Sequence, residues 1–162
     1  MALPTFLVLA IAACGTDEPP SARATVASPH SDSVTFVVPA TAHRCSGGRS
    51  LLLQAADERG NGVLVLLRYG DTLATGPFPL LALGDSITPR GANVAVRYMK
   101  GDVAHGLSLD SGTVDLTGSG DSLAARAHGT GLEGGVRVAL EAAYEGVSRP
   151  AAVDTVPCRF VP

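Results

Sequence analysis

The chain has 162 residues, with 12 basic and 15 acidic side chains, four His, three Cys and no Trp. At this length one domain with a real core is expected, and 46% apolar against 17% charged residues is not the composition of a disordered chain. A formal charge of -3, with Arg scattered along the chain rather than clustered, argues against nucleic acid, whose phosphates demand a basic face.

Met1 to Ala13 carries no charge and consists mostly of Ala, Leu, Val, Ile and Phe. The run is shorter than the ~20 apolar residues that span a bilayer, and it suits the apolar region of an export signal. It ends in Ile11-Ala12-Ala13-Cys14, followed by the polar Gly15-Thr16-Asp17-Glu18. An aliphatic residue, two small residues and a Cys resemble the lipobox of bacterial lipoproteins. The resemblance implies that residues 1–13 are a signal peptide and that Cys14 becomes a lipidated N-terminus. It also implies an exported, membrane-anchored protein of the cell envelope. The chemistry is consistent: small residues let a protease reach the scissile bond, and a thiolate is the nucleophile that takes the lipid. Each buried acyl methylene then contributes ~0.8 kcal/mol of anchoring.

With Cys14 given to lipid, Cys45 and Cys158 remain, an even pair in an oxidising compartment. A disulfide between them closes a loop of about 114 residues, which loop-entropy models value at ~4–5 kcal/mol. The alternative is two buried thiols.

Residues 15–32 hold Pro19, Pro20 and Pro29 among Ser, Ala, Thr and Asp, without apolar periodicity. They read as a flexible tether, so that residues 14–32 carry the lipid and the linker and residues 33–162 form one domain. From Ser33 onward the pattern has period two. Val34, Phe36 and Val38 share a face, as do Val63, Val65, Leu67 and Tyr69, and Ala92, Val94, Val96 and Tyr98. Leu51–Leu53 and Phe78–Leu83 read as short buried strands, and Val114–Leu116 and Leu123–Ala127 as alternating ones. Val136–Tyr144 fits a strand on its even positions, although a helix through Val136, Leu140, Ala143 and Val147 is also possible; the flanking Gly134-Gly135 and Gly146 favour the strand. Gly- and Asp-rich turn signals separate the runs, among them Gly101-Asp102, Asp110-Ser111-Gly112, Gly118-Ser119-Gly120-Asp121 and Gly129-Thr130-Gly131. The expected fold is all-β: an antiparallel sandwich, or a closed or partly closed barrel, of about eight to nine strands.

Four motif matches bear on chemistry. Gly84-Asp85-Ser86 followed by Asp102-Val103-Ala104-His105 resembles the two blocks of GDSL serine hydrolases, which implies Ser86 as nucleophile, His105 as base and Asp102 as its orienting carboxylate. That family is α/β, with its two blocks near opposite chain ends; here 15 residues separate them. Leu109-Asp110-Ser111-Gly112-Thr113 resembles the aspartic-protease motif, yet the chain carries it once where two carboxylates must share a proton. Gly129-Thr130-Gly131-Leu132-Glu133-Gly134 matches a dinucleotide fingerprint by letter but lacks the βαβ unit that gives it meaning. His30, His43, His105 and His128 are too far apart in sequence for metal-ligand spacing and read as solvated residues.

The expectation is therefore a lipid-anchored, non-enzymatic binding or structural module of the cell envelope, with no cofactor, metal or nucleic acid. Its partners would be the membrane through the lipid, and an envelope protein or a small apolar ligand. A GDSL-like esterase using Ser86, His105 and Asp102 is one alternative. A lipocalin-like carrier is another, since a barrel of about eight strands can enclose one small ligand.

Overall fold

Side-chain alternation sets the strands, and they are seen in a computed structural model that describes residues 18–154, 158 and 160. Nine strands follow in chain order: β1 (Ser21–Ser28), β2 (Ser31–Arg44), β3 (Ser50–Ala56), β4 (Gly62–Arg68), β5 (Gly76–Pro79), β6 (Gly91–Lys100), β7 (Val103–Ser119), β8 (Ser122–Glu133) and β9 (Val136–Ser148). Each strand pairs antiparallel with its neighbours in the order β5-β7-β6-β4-β3-β2-β1-β9-β8, and β7–β8 pairing closes the ring. Eight strands thus make a closed antiparallel barrel, and the short β5 lies against β7 over Thr113–Leu116, beyond the stretch of β7 that pairs with β6. The barrel form of the expected all-β fold is the one observed. Val136–Ser148 is a strand: Val138, Leu140, Ala142 and Tyr144 are buried while Arg137, Glu141 and Glu145 are exposed.

The interior is apolar. Val63, Val65 and Leu67 of β4 face Leu51 and Leu53 of β3, Val94 of β6 and Leu140 of β9 in one core. Tyr144 braces it. Its ring leaves β9, and its hydroxyl donates to the Val63 carbonyl oxygen at 2.6 Å. Strand β4 lies four places from β9 around the eight-strand ring, so this side chain crosses the lumen. Outward positions carry charge instead: Arg23, Arg97, Arg126, His128, Arg137 and Glu141 are all exposed. Apolar inside and charged outside is the reverse of a membrane-spanning barrel.

The tether and the domain start are corrected by the fold. Ser21–Ser28 is not linker but a full strand, inserted between β2 and β9, with Ala22, Ala24 and Val26 buried. Small Ala side chains gave it little apolar contrast in the sequence, whereas two paired edges and a closed barrel order it.

Two turn assignments are corrected as well. Asp110-Ser111-Gly112 lies inside β7, at a bulge between Leu109 and Ser111, and Gly129-Thr130-Gly131 lies inside β8. There the two strands press together. A Cβ on Gly129 would sit 2.1 Å from the Ser111 carbonyl oxygen, and one on Gly112 would sit 2.1 Å from that of His128. These glycines mark a tight bend in the barrel wall rather than a reversal. The true β8–β9 reversal is Gly134-Gly135, both at positive φ (55° and 83°) as a two-residue hairpin requires.

The barrel has two unlike ends. At one, short turns join β1–β2, β3–β4, β6–β7 and β8–β9. At the other are the chain entry at Glu18–Pro20, the β2–β3 and β7–β8 turns, and the segment after β9. There Cys45 and Cys158 are joined by a disulfide, with Cα atoms 5.1 Å apart.

Candidate functional site

Strand alternation carries Tyr98 and His105 to the inward side at the hairpin end, where they are direct cross-strand partners on β6 and β7. Their rings stack, with centroids 5.2 Å apart and planes 19° from parallel. Glu133 closes the group from the last position of β8. It accepts from the Tyr98 hydroxyl at 2.6 Å on Oε2, and Oε1 lies 2.9 Å from His105 Nδ1. A carboxylate oxygen facing a ring nitrogen at this distance accepts, so Nδ1 carries the hydrogen of this bond. The His105 side chain is partly exposed. Burial, then the hydrogen bond and charge of Glu133, push the Tyr98 hydroxyl up to about 12, so it stays a neutral donor. Together these residues form a fixed, partly exposed polar group at the mouth of the barrel.

Beside this mouth β2 has an open edge. Ser31–Pro39 pairs with β1 on one side, but β3 joins β2 only from Ala40 onward. The Ala40 N–H donates to the Pro20 carbonyl oxygen, so alternation turns the backbone groups of Thr35 and Val37 away from β1. They face a cleft of about 530 Å3 bounded by Phe36, Asp57, Asn61, Met99 and Asp102. Its far wall is rigid. Asp57 takes the N–H groups of Arg59 and Asn61 and the Asn61 side-chain amide, all at 2.9 Å, while Asn61 Oδ1 accepts from the Met99 N–H at 2.9 Å. Burial acts to raise the Asp57 carboxyl, but those hydrogen bonds prevail and hold it below its ordinary value.

The structure does not assemble the residues of the esterase reading. Ser86 lies in the β5–β6 loop, in a turn built by its neighbour Asp85, which accepts from the Ile87 N–H at 3.0 Å, the Thr88 N–H at 2.9 Å and the Thr88 hydroxyl at 2.6 Å. Asp102 is exposed in the β6–β7 turn, and the carboxylate on His105 is Glu133, not Asp102. No hydrogen bond joins Ser86, Asp102 and His105 among the described residues, because one faces out from a loop while another faces in from a strand. His30 sits in the β1–β2 turn, His43 lies one residue before the end of β2 against Asp154 at 3.2 Å, and His128 is on the outer face of β8. His43, His105 and His128 thus stand on separate strands. Cys14 and the signal segment lie outside the described residues.

The group of Tyr98, His105 and Glu133 was not legible from spacing. Tyr98 reads as one more apolar strand position, His105 as a surface residue and Glu133 as a letter in a glycine pattern. Only the closure of β8 beside β7 brings them together. Comparison with protein-family models, curated proteins and solved structures finds no match for this chain.

Proposed function

We propose that this protein is a lipid-anchored binding module of the cell envelope, held at one end of a barrel and recognising its partner at the other. The observation that supports this reading is the polarity of the fold. The chain enters beside Pro20 at the end stapled by Cys45 and Cys158, while Tyr98, His105, Glu133 and the open β2 edge belong to the opposite end. Only Gly15, Thr16 and Asp17 separate Cys14 from Glu18. If Cys14 carries lipid, the seven residues from it to Ser21 reach at most about 25 Å, so the hairpin end would face away from the membrane. An extended segment of an envelope protein suits the β2 edge, where free backbone groups pair with an added strand. The test is cell fractionation of wild type and Cys14→Ser with metabolic palmitate labelling. Labelled wild type in the membrane pellet and unlabelled variant in the soluble fraction is the expected result; soluble, unlabelled wild type refutes the anchor.

A second reading, an apolar-ligand carrier, draws on the barrel itself, whose strand number is that of known small carriers. It requires Tyr144 to leave the lumen.

A further inference from the structure

The mouth at the disulfide end has a polar lining of its own. Inward positions run Val38, Ala40 and Ala42 along β2, so the next inward position is Arg44; by the same alternation Val65 and Leu67 lead to Tyr69, and Val147 leads to Arg149. Arg44, Tyr69 and Arg149 line one cavity of about 200 Å3, walled by Leu51 and Leu73.

Its donors lack acceptors. Tyr69 is 2% exposed, and its hydroxyl has no hydrogen-bond partner; Arg149 Nε is buried and equally unpartnered. No carboxylate lines the cavity, and neither Arg44 nor Arg149 forms an ion pair among the described residues. Asp71, beside the lining residue Thr72, and Asp121, whose carbonyl oxygen accepts from the Arg149 N–H, are exposed and form no ion pair among the described residues, and Asp154 is engaged by His43. Leaving a buried hydroxyl and a buried guanidinium nitrogen unsatisfied costs free energy, and native proteins rarely do so without a ligand or water to complete them.

We propose that this cavity binds an oxyanion, a carboxylate or phosphate group, held by the guanidinium groups of Arg44 and Arg149 with the Tyr69 hydroxyl as a further donor. Planar guanidinium forks match both groups, and charge-assisted bonds are the strong ones. The volume is below the roughly 300 Å3 at which whole-ligand pockets begin, so the site takes an anionic group rather than an entire drug-sized molecule. Free phosphate and an anionic lipid headgroup share this chemistry. The headgroup source rests on the anchored reading above; the free-anion source does not.

The test titrates the folded chain with inorganic phosphate at low ionic strength, by calorimetry and amide chemical shifts. Saturable binding is expected, weakened roughly tenfold by Arg44→Gln or Arg149→Gln and roughly threefold by Tyr69→Phe. Glu133→Gln, at the opposite mouth, should leave it unchanged. Tyr69→Phe should not lower the melting temperature of the phosphate-free protein, because the hydroxyl it removes has no partner there; a loss of stability would mean a structural hydroxyl and overturn the assignment. Co-sedimentation with phosphatidylglycerol vesicles but not phosphatidylcholine vesicles, lost in Arg44→Gln and Arg149→Gln and reduced by free phosphate, identifies the lipid headgroup; saturable phosphate binding without co-sedimentation identifies the small anion. No saturable phosphate response and no vesicle binding, or responses that Arg44→Gln and Arg149→Gln leave intact, overturn the proposal.

Discussion

Replacing Tyr144 with Phe removes one oxygen and leaves the Val63 carbonyl without its 2.6 Å donor in the middle of the core. That oxygen keeps its ladder partner on β3, so the change deletes one intramolecular hydrogen bond, worth about 0.5–1.5 kcal/mol, and urea unfolding of Tyr144→Phe should show a loss in that range at unchanged slope. No loss would mean the hydroxyl does not brace the lumen. Asp85 makes a separate, pH-dependent contribution. The side-chain and backbone hydrogen bonds from Thr88, then the Ile87 N–H and the Arg68 charge, bring its carboxyl down to about 2 from an ordinary 3.8. A depressed carboxyl stabilises the fold above its unfolded value, so this contribution is complete above pH 3.8 and lost as the pH falls from there to about 2. Proton NMR of the Thr88 amide should titrate with a midpoint near 2; a midpoint near 3.8 would mean that the Asp85 turn is not formed in solution.

At the scale of elements, the strands beyond Ser33 were readable because Val, Leu and Tyr alternate with polar residues on a half-buried surface, and periodicity responds to that contrast. It failed where the contrast was weak or where pairing at long range decides. β1 alternates Ala22, Ala24 and Val26 with Arg23 and Thr25, too small a signal beside Pro19 and Pro20. The glycines of β7 and β8 were legible as special but not as bends, since a glycine that permits close approach has the same letter as one that permits a turn. Gly129→Ala tests the distinction. A surface hairpin turn would tolerate the methyl group, whereas a Cβ 2.1 Å from the Ser111 oxygen must push the strands apart. Overpacking of this kind costs about 1–3 kcal/mol, and a melting temperature equal to that of wild type would contradict the bend.

At the scale of the whole molecule, the expected pairing of Cys45 with Cys158 is observed, while the separation of a stapled end from an open end needed the barrel. Neither inward-facing polar group was visible in the sequence. Tyr98, His105 and Glu133 come from three strands, and Arg44, Tyr69 and Arg149 from the ends of three others, so only ring closure shows which residues share a mouth. The choice between a binding module and an internal carrier turns on the lumen. Apolar side chains line it and Tyr144 crosses it, and the proposed binding module would recognise its partner at the ends. Titration with a fluorescent apolar dye, run on wild type and on Tyr144→Ala, measures this directly. Wild type should show no saturable binding, and the variant, with its ring deleted, should take up dye with one-to-one stoichiometry; one-to-one binding by wild type would contradict recognition at the ends and place the ligand inside the barrel.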